Sequence, residues 1–505
     1  MPRTSSTALM VATLLTASAA GASQPSNTEL LAEIRRLAER LERVEQRNAD
    51  LERQLKAGPV VTDAALPARV KALEEQNVRL ERSMADEHIS EAEPEIASRL
   101  KAVEYQALSM QKQIRMVDKL EDITAGAALG IVGQKASAGP DRDMQLNYRA
   151  DITVATPAGT MGDTTSKIFG HFRIGQGKGL GSLLTAFSGA NATAFQLGTA
   201  EQADTSAVML AQAWYQADIP LPIGGFKPRS RETLTINFGK MDPFAFFDQN
   251  AAANDETRQF LASQFVHNAL LDNPLAANVG ADAYGFTPGA RISYLNEKTK
   301  PESWRLSFGV FGAGPGASFS KSFTSPFVIA QAEMKKRFFS GQEGNYRVFA
   351  WRNGQAPTYV LDETRPHRGF GINFDQRVHD AVTLFGRFGK AWGERLPFDR
   401  TLSLGAEVGG SYWDRGADAI GIAFGSNRAS ADFRRDAATL DANSDGVADY
   451  GFRASGAETV AEIYYRYRLN KQFEVSPDFQ WLQRPAANGS TPAIKIVGVR
   501  AQLAF

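Results

Sequence analysis

Lys495-Ile-Val-Gly-Val-Arg-Ala-Gln-Leu-Ala-Phe505 ends the chain. Val497, Val499, Ala501, Leu503 and Phe505 fall on one parity, and Gly498, Arg500 and Gln502 on the other. Successive side chains of a β-strand point to opposite faces, so this stretch has one apolar face and one wet face. A strand set between lipid and water needs that division. The stretch therefore predicts the closing strand of a transmembrane β-barrel.

Working back from it, the same period recurs. In Gln145 to Val154, Leu146, Tyr148, Ala150, Ile152 and Val154 share a face opposite Asn147, Arg149, Asp151 and Thr153. Further runs lie at Lys167–Ile174, Leu234–Phe238, Trp304–Val310, Phe370–Phe374, Leu402–Tyr412 and Ala419–Asn427, with Gly, Asp, Asn and Pro clusters between them. About fifteen such runs predict an all-β barrel of about 16 antiparallel strands. Aromatics near strand ends and charges on the opposite face favour a membrane barrel over a soluble one. Mean hydropathy is −0.29, and past the N-terminus no run of 18 apolar residues marks a spanning helix.

The N-terminal third differs. Arg3, the apolar Ala8 to Leu15 and the small residues Ala17 to Ala22 predict a secretory signal peptide over residues 1–22, the alternative being a buried helix. Residues 23–124 hold one glycine, Gly58, and one aromatic, Tyr105. Leu30, Ile34, Leu37, Leu41, Val44, Asn48, Leu51 and Leu55 repeat at alternating four and three. Val70, Leu73, Asn77, Leu80 and Met84 follow the same rule, as do Ile96, Leu100, Val103, Ala107, Met110, Ile114 and Val117. These seams predict an α-helical coiled coil in three segments, broken at Gly58-Pro59 and Pro94. A single solvated helix or an intrachain hairpin is the alternative. Residues 125–144 read as a linker, and 145–505 as the barrel.

Several classes are excluded. With no cysteine there is neither a disulfide frame nor a thiol nucleophile. A net charge of zero does not suit a nucleic-acid partner. The five histidines are scattered, and no Gly-x-Ser-x-Gly, His-Glu-x-x-His or phosphate-cradling glycine loop appears. The residues thus predict no enzyme and no cofactor.

Three separated stretches resemble the carbohydrate-selective porin family, the OprB-like porins. One is Gly409-Gly-Ser-Tyr-Trp413-Asp-Arg415-Gly-Ala-Asp418 through Phe424. A second is Ala457 to Val460, Glu462 to Tyr467, Val475 to Gln480, Pro485 and the closing Gly498 to Phe505. The third is Phe247-Asp-Gln-Asn250, Asn254-Asp-Glu256, Gln259-Phe-Leu261 and Phe265. They occur in family order and cover most of the chain after about residue 145. The resemblance implies an outer-membrane porin for passive diffusion of small hydrophilic solutes, sugars first, in contact with outer-membrane lipid. The terminal Phe resembles the signal read by outer-membrane assembly machinery. The coiled coil departs from the shortest members. It resembles the branch with an N-terminal periplasmic anchoring region, although no surface-layer-homology module precedes it. Parallel heptads on every chain predict a homo-oligomer and a periplasmic or cell-wall partner. The alternatives are a tether between outer membrane and cell wall, or a porin for inorganic ions.

A pore needs a wet lumen, a constriction and charges that bias passage. Strand parity makes Arg149, Arg173, Arg305, Arg387, Glu462, Arg466 and Arg500 the pore-lining candidates. For any one of them a polar residue paired with a carboxylate across strands is the preferred reading. Asp242 to Gly289 is too long for a turn, and a helix-like stretch spans Asn254 to Gln264. Folded inward, this loop offers Phe247, Asp248, Asn250, Asp255 and Glu256 as constriction residues, its aromatics stacking on a sugar. Packing on a neighbouring subunit is the alternative. Asp441, Asn443, Asp445 and Asp449 resemble the front of a calcium loop, but Phe452 stands where the bidentate Glu belongs. An acidic turn without metal is the preferred reading.

Overall fold

A computed structural model describes residues 123–139, 143–180, 186–194, 206–223, 230–279 and 285–505. The leader at 1–22 and the coiled-coil seams lie outside the described residues. Sixteen strands follow in order: β1 Thr124–Ala136, β2 Gln145–Met161, β3 Thr164–Gln176, β4 Ala207–Leu221, β5 Glu232–Met241, β6 Thr287–Asn296, β7 Ser303–Phe311 and β8 Phe327–Phe338. Then come β9 Gln342–Pro357, β10 Thr364–His379, β11 Val382–Trp392, β12 Phe398–Gly409, β13 Ala419–Ala429, β14 Ala457–Arg468, β15 Phe473–Gln483 and β16 Ile494–Ala504. Each pairs antiparallel with its sequence neighbours, and β1 pairs with β16 to close the barrel. Closure leaves no edge of unpaired backbone, which a bilayer would not tolerate.

The last strand makes the seam. Val132 lies opposite Arg500 and Ala128 opposite Ala504. Phe505 donates its amide to Ala127 O at 2.8 Å. Val497, Val499 and Phe505 are exposed on the outer face, whereas Arg500 and Gln502 are buried on the inner one. The strand parity read from the sequence is thus the parity of the wall.

Two boundaries and one element differ from the sequence reading. The stretch read as a linker, 125–144, contains β1, hydrogen-bonded to β2 and β16. Gly126, Ala128 and Gly130 fill its inner face, so its alternation in hydropathy is faint. The run Leu402–Tyr412 stops as a strand at Gly409, and Gly410–Trp413 is a 3-10 turn. The helix-like stretch Asn254–Gln264 is a series of turns, and the only helix within it begins near its end, at α1, Ser263–Val266. Side chains there compete for the backbone. Gln259 Oε1 accepts from Asn254 N at 2.8 Å and Asp255 N at 3.0 Å, and Asp255 Oδ1 accepts from Thr257 N at 2.9 Å.

Short turns, such as those between β2 and β3 or β10 and β11, lie at one end of the barrel, and long connections at the other. Toward the long-loop end the inner face is apolar rather than wet. Met241, Phe244, Phe247, Phe311, Phe327, Ile329 and Phe349 form one cluster inside the barrel. Phe260, Phe265, Phe385, Val460, Tyr464, Leu482 and Ile496 form another. Both exist because the connection after β5 folds into the lumen and buries its own aromatics against the wall.

Candidate functional site

The described part of that connection, residues 242–279 and 285–286, starts with a cap. Asp242 Oδ1 accepts from Phe244 N at 2.8 Å and turns the chain inward. Phe247 packs edge-on against Phe311, with ring centroids 6.1 Å apart. Asp248 then meets three partners from wall and loop: Arg387 Nε at 3.1 Å, Asn373 Nδ2 at 2.6 Å and Asn268 N at 2.6 Å. Asn250 donates to Asn373 Oδ1 at 2.8 Å. Arg387 also donates to Phe265 O at 2.8 Å. Further round the wall, Glu462 accepts the amides of Leu261 at 2.6 Å and Ala262 at 2.9 Å. Arg500 donates to Gln259 O at 2.7 Å and Glu256 O at 2.9 Å. Arg149 reaches Glu256 at 2.8 Å, and Arg258 of the loop reaches Glu474 at 2.7 Å.

All seven pore-lining candidates face inward, but they divide. Arg387, Arg500 and Glu462 are 2 % exposed because the loop covers them, so they grip it rather than line open space. Phe247, Asp248 and Asn250, at 0 % exposed, are likewise seated on the wall and do not themselves face open space. Phe244 and Phe247 cannot reach a sugar, and Phe246 is covered by the Arg291 guanidinium at 5.0 Å. Arg466 is buried with its guanidinium 3.6 Å from Glu407. Arg305 is half-buried, opposite Glu333 of β8.

Other inward charges form clusters of their own. Arg149 and Arg173 share Asp151 at 2.9 Å and 2.7 Å, and His171 is 2.7 Å from the same carboxylate. From the loop Glu256 reaches Arg149, and Asp255 lies beside it. Burial and the neighbouring Glu256 carboxylate push the Asp255 carboxyl above its ordinary value. Burial alone would raise Glu256 too, but the Arg149 and Arg173 guanidiniums outweigh it and hold Glu256 below. On the far wall Arg347 joins Asp375 at 2.8 Å and Glu333 at 3.4 Å. Beneath the loop a cavity of about 230 Å³ is lined by Ala251, Glu343, Asn345, Asp375 and Thr383.

Sequence reasoning missed a second inward segment, 186–194. Gln134 and Gln480 both donate to Ala190 O, at 3.1 Å and 2.8 Å. Glu458 accepts the amides of Phe187 at 2.7 Å and Ala486 at 2.8 Å. Ala192 N bonds Leu261 O at 2.8 Å, which ties the two inward segments together. Buried-facing Gln134, Glu458 and Gln480 were legible by parity, but nothing local in the segment marks it. Asp151, Glu333, Arg347 and Asp375 obey the same parity as the candidates and could have been chosen with them.

The acidic turn lies between β13 and β14, after α2, Ala431–Asp436. Asp441 accepts from Asp445 N at 3.1 Å and Gly446 N at 2.8 Å, and Asp449 from Ala442 N at 3.1 Å. Asn443 donates to Asp445 at 2.9 Å. The side chains thus serve the turn's own amides. Among the described residues no group of three or more acids or imidazoles converges as metal ligands.

A family model described as carbohydrate-selective porin, OprB family, matches residues 175–505, well over half of the chain. The chain belongs to that family. It is a family of porins, not of enzymes, and the barrel, the inward loop and the motif residues named above all lie wholly or mostly within the matched span. Porin AaxA of Chlamydia pneumoniae is 25% identical over 163 residues, 32% of this chain and 33% of that protein. Porin AaxA of Chlamydia trachomatis serovar D is 25% identical over 162 residues, 32% of this chain and 31% of its own. The match thus spans about a third of the length of these relatives. Pseudomonas putida OprB at high pH has the same fold, with a TM-score of 0.59, 15% identity, and coverage of 76% of this chain and 94% of that one.

Proposed function

We propose that this chain is an outer-membrane porin through which small uncharged hydrophilic solutes, carbohydrates foremost, diffuse passively. The observation that carries it is the compensation of charge inside the barrel. Arg149, Arg173, Arg258, Arg347, Arg387 and Arg466 each have a carboxylate within 3.6 Å. Paired guanidinium and carboxylate groups offer hydroxyls many donors and acceptors without the strong one-signed field that concentrates an ion. Family membership supports the same reading, and the pairing speaks against a dedicated anion pore.

The short turns would face the periplasm and the long connections the exterior, as in porins generally. β1 begins at the short-turn end, which supports a periplasmic position for the N-terminal region. Self-association through that region is part of the proposal, and cross-linking of the intact protein that yields only monomer counts against it. Planar-bilayer recording tests the central claim. Ion conductance that falls as malto-oligosaccharide is added is expected. Absence of conductance rejects the porin, and conductance indifferent to sugars rejects the carbohydrate.

A further inference from the structure

The outer face of the barrel carries a row of cations at the long-loop end. Arg352 of β9 lies opposite Arg368 of β10. Arg368 pairs with Trp392 of β11, two residues from Lys390. Lys390 lies opposite Arg400 of β12, and Arg400 opposite Arg428 of β13. All five point outward, because their strand neighbours Trp351, His367, Ala391, Thr401 and Asn427 are buried on the inner face. With strands about 4.8 Å apart, the row runs roughly 19 Å along the rim.

Like charges directly opposite one another across strands are destabilising unless something neutralises them. Lys390 and Arg400 share the one nearby carboxylate, Asp399, the latter at 3.7 Å. Arg352, Arg368 and Arg428 have no ion-pair partner among the described residues. At the short-turn end, by contrast, Lys336 meets Glu302 at 2.5 Å and Lys298 meets Glu232 at 2.7 Å. Apolar residues lie beside and below the row. Phe370 stacks on Trp392 with centroids 5.8 Å apart, and Leu402 and Phe424 are exposed beside them.

We propose that this strip binds the phosphorylated headgroup of a glycolipid in the membrane leaflet at the long-loop end, with its acyl chains on Phe370, Leu402 and Phe424. The chemistry fits at both levels. Planar guanidiniums take phosphate oxygens in pairs, and anionic headgroups attract cations held at their depth. The apolar surface beneath would accept hydrocarbon. The inference rests on the membrane orientation given under Proposed function.

The test uses the purified full-length protein and titrates bisphosphorylated lipid A, with lipid stoichiometry read by native mass spectrometry. Wild type is expected to retain bound lipid A, and to bind the dephosphorylated form far more weakly. Combining Arg352→Gln, Arg368→Gln and Arg428→Gln is expected to weaken binding about 100-fold, from the usual worth of three cations near an anionic surface. The Lys135→Gln, Lys495→Gln pair, on the rim at the barrel seam, is the control and should bind as wild type. Undiminished binding by the triple variant overturns the proposal, as does equal loss in the seam control. Displacement by equimolar inorganic phosphate would make the strip a phosphate site and overturn the lipid assignment. If the triple variant does not fold, Arg368→Gln alone must weaken binding measurably, and no loss there overturns the proposal. Conductance of the same preparations separates the two claims. A wild type that binds lipid A but does not conduct loses the porin reading and keeps the strip, and one that conducts without binding loses the strip alone.

Discussion

Arg387 of the barrel wall and Asp248 of the inward loop meet at 3.1 Å with neither exposed to solvent. A buried charge stripped of its partner costs about 3–5 kcal/mol, far more than an exposed pair contributes. Asp248→Ala should therefore unseat the loop and not merely weaken it, since the Asn268 amide loses its acceptor and Asn373 its shortest one as well. Single-channel recording should show a larger and noisier conductance. Pairing Asp248→Leu with Arg387→Met removes both charges and should quieten the channel again. A single variant with wild-type conductance and noise would show that the loop is held by its aromatics alone.

The wall of this barrel was legible because a period of two needs no tertiary information. Arg149, Arg173, Arg305, Arg387, Glu462, Arg466 and Arg500 all point where parity sends them. β1 escaped because Gly126, Ala128 and Gly130 give one face no hydropathy to alternate with. Which inward residues meet solvent was not legible, because it depends on where the loop lies. Arg387 and Arg173 look alike in sequence, yet one is sealed under Asp248 and the other is half-buried beside Asp151. Inward-facing Phe327, Ile329, Phe349 and Trp351 were a signal that something apolar covers them, since a purely wet lumen would not hold them.

Glycines on the inner wall make room for the loop. A Cβ on Gly425 would lie 2.4 Å from Gln264 Cγ, and one on Gly389 2.6 Å from Asn268 Oδ1. Gln264 cannot swing away easily, because it donates to Thr401 at 3.1 Å and Ser403 at 3.0 Å and accepts from Asn427 at 2.6 Å. Gly425→Val should thus cost about 1–3 kcal/mol as overpacking. A lowered denaturation midpoint in detergent, with increased protease cleavage between residues 255 and 270, is the expected result. Unchanged cleavage would mean that the loop tolerates displacement from β13.

At the short-turn end Asp418 organises the turn between β12 and β13. It accepts from Arg415 Nε at 2.5 Å, Tyr465 OH at 2.5 Å and the amide of Arg468 at 2.9 Å. Arg415 in turn lies over the Tyr467 ring at 4.2 Å. Burial acts to raise the Asp418 carboxyl, but these donors prevail and hold it below its ordinary value. Its stabilisation is therefore full above the unfolded-state pKa and is lost as pH falls through the lower folded-state one. Asp418→Ala leaves the buried Arg468 amide unanswered at about 1–3 kcal/mol, with less lost at the part-exposed Arg415 and Tyr465, so a lower midpoint at neutral pH is expected. The gap between variant and wild type should close in strong acid. A constant gap would assign the loss to packing rather than charge.

On the proposed porin reading, conduction should respond to pH through two adjacent carboxyls that move apart. Asp255 is raised by burial and by Glu256, whereas Glu256 is held down by Arg149 and Arg173 against its own burial. As pH falls from neutral, Asp255 takes up its proton first and Glu256 remains charged. Beside Arg149, Arg173 and Arg258 the lining then gains one unit of positive character. Reversal potentials in a salt gradient should shift toward anion preference across that step, and the shift should weaken at high salt. Asp255→Asn should show the acidic selectivity already at neutral pH and lose the step. Stability moves the other way for the two groups. Ionised Asp255 destabilises the fold above its unfolded pKa, and this is relieved as pH falls through the raised folded value. Glu256 stabilises above its unfolded pKa, and that is lost only as pH falls through its depressed value. A wild-type reversal potential flat across the acid range, or an Asp255→Asn variant that keeps the step, would place the selectivity elsewhere in the barrel.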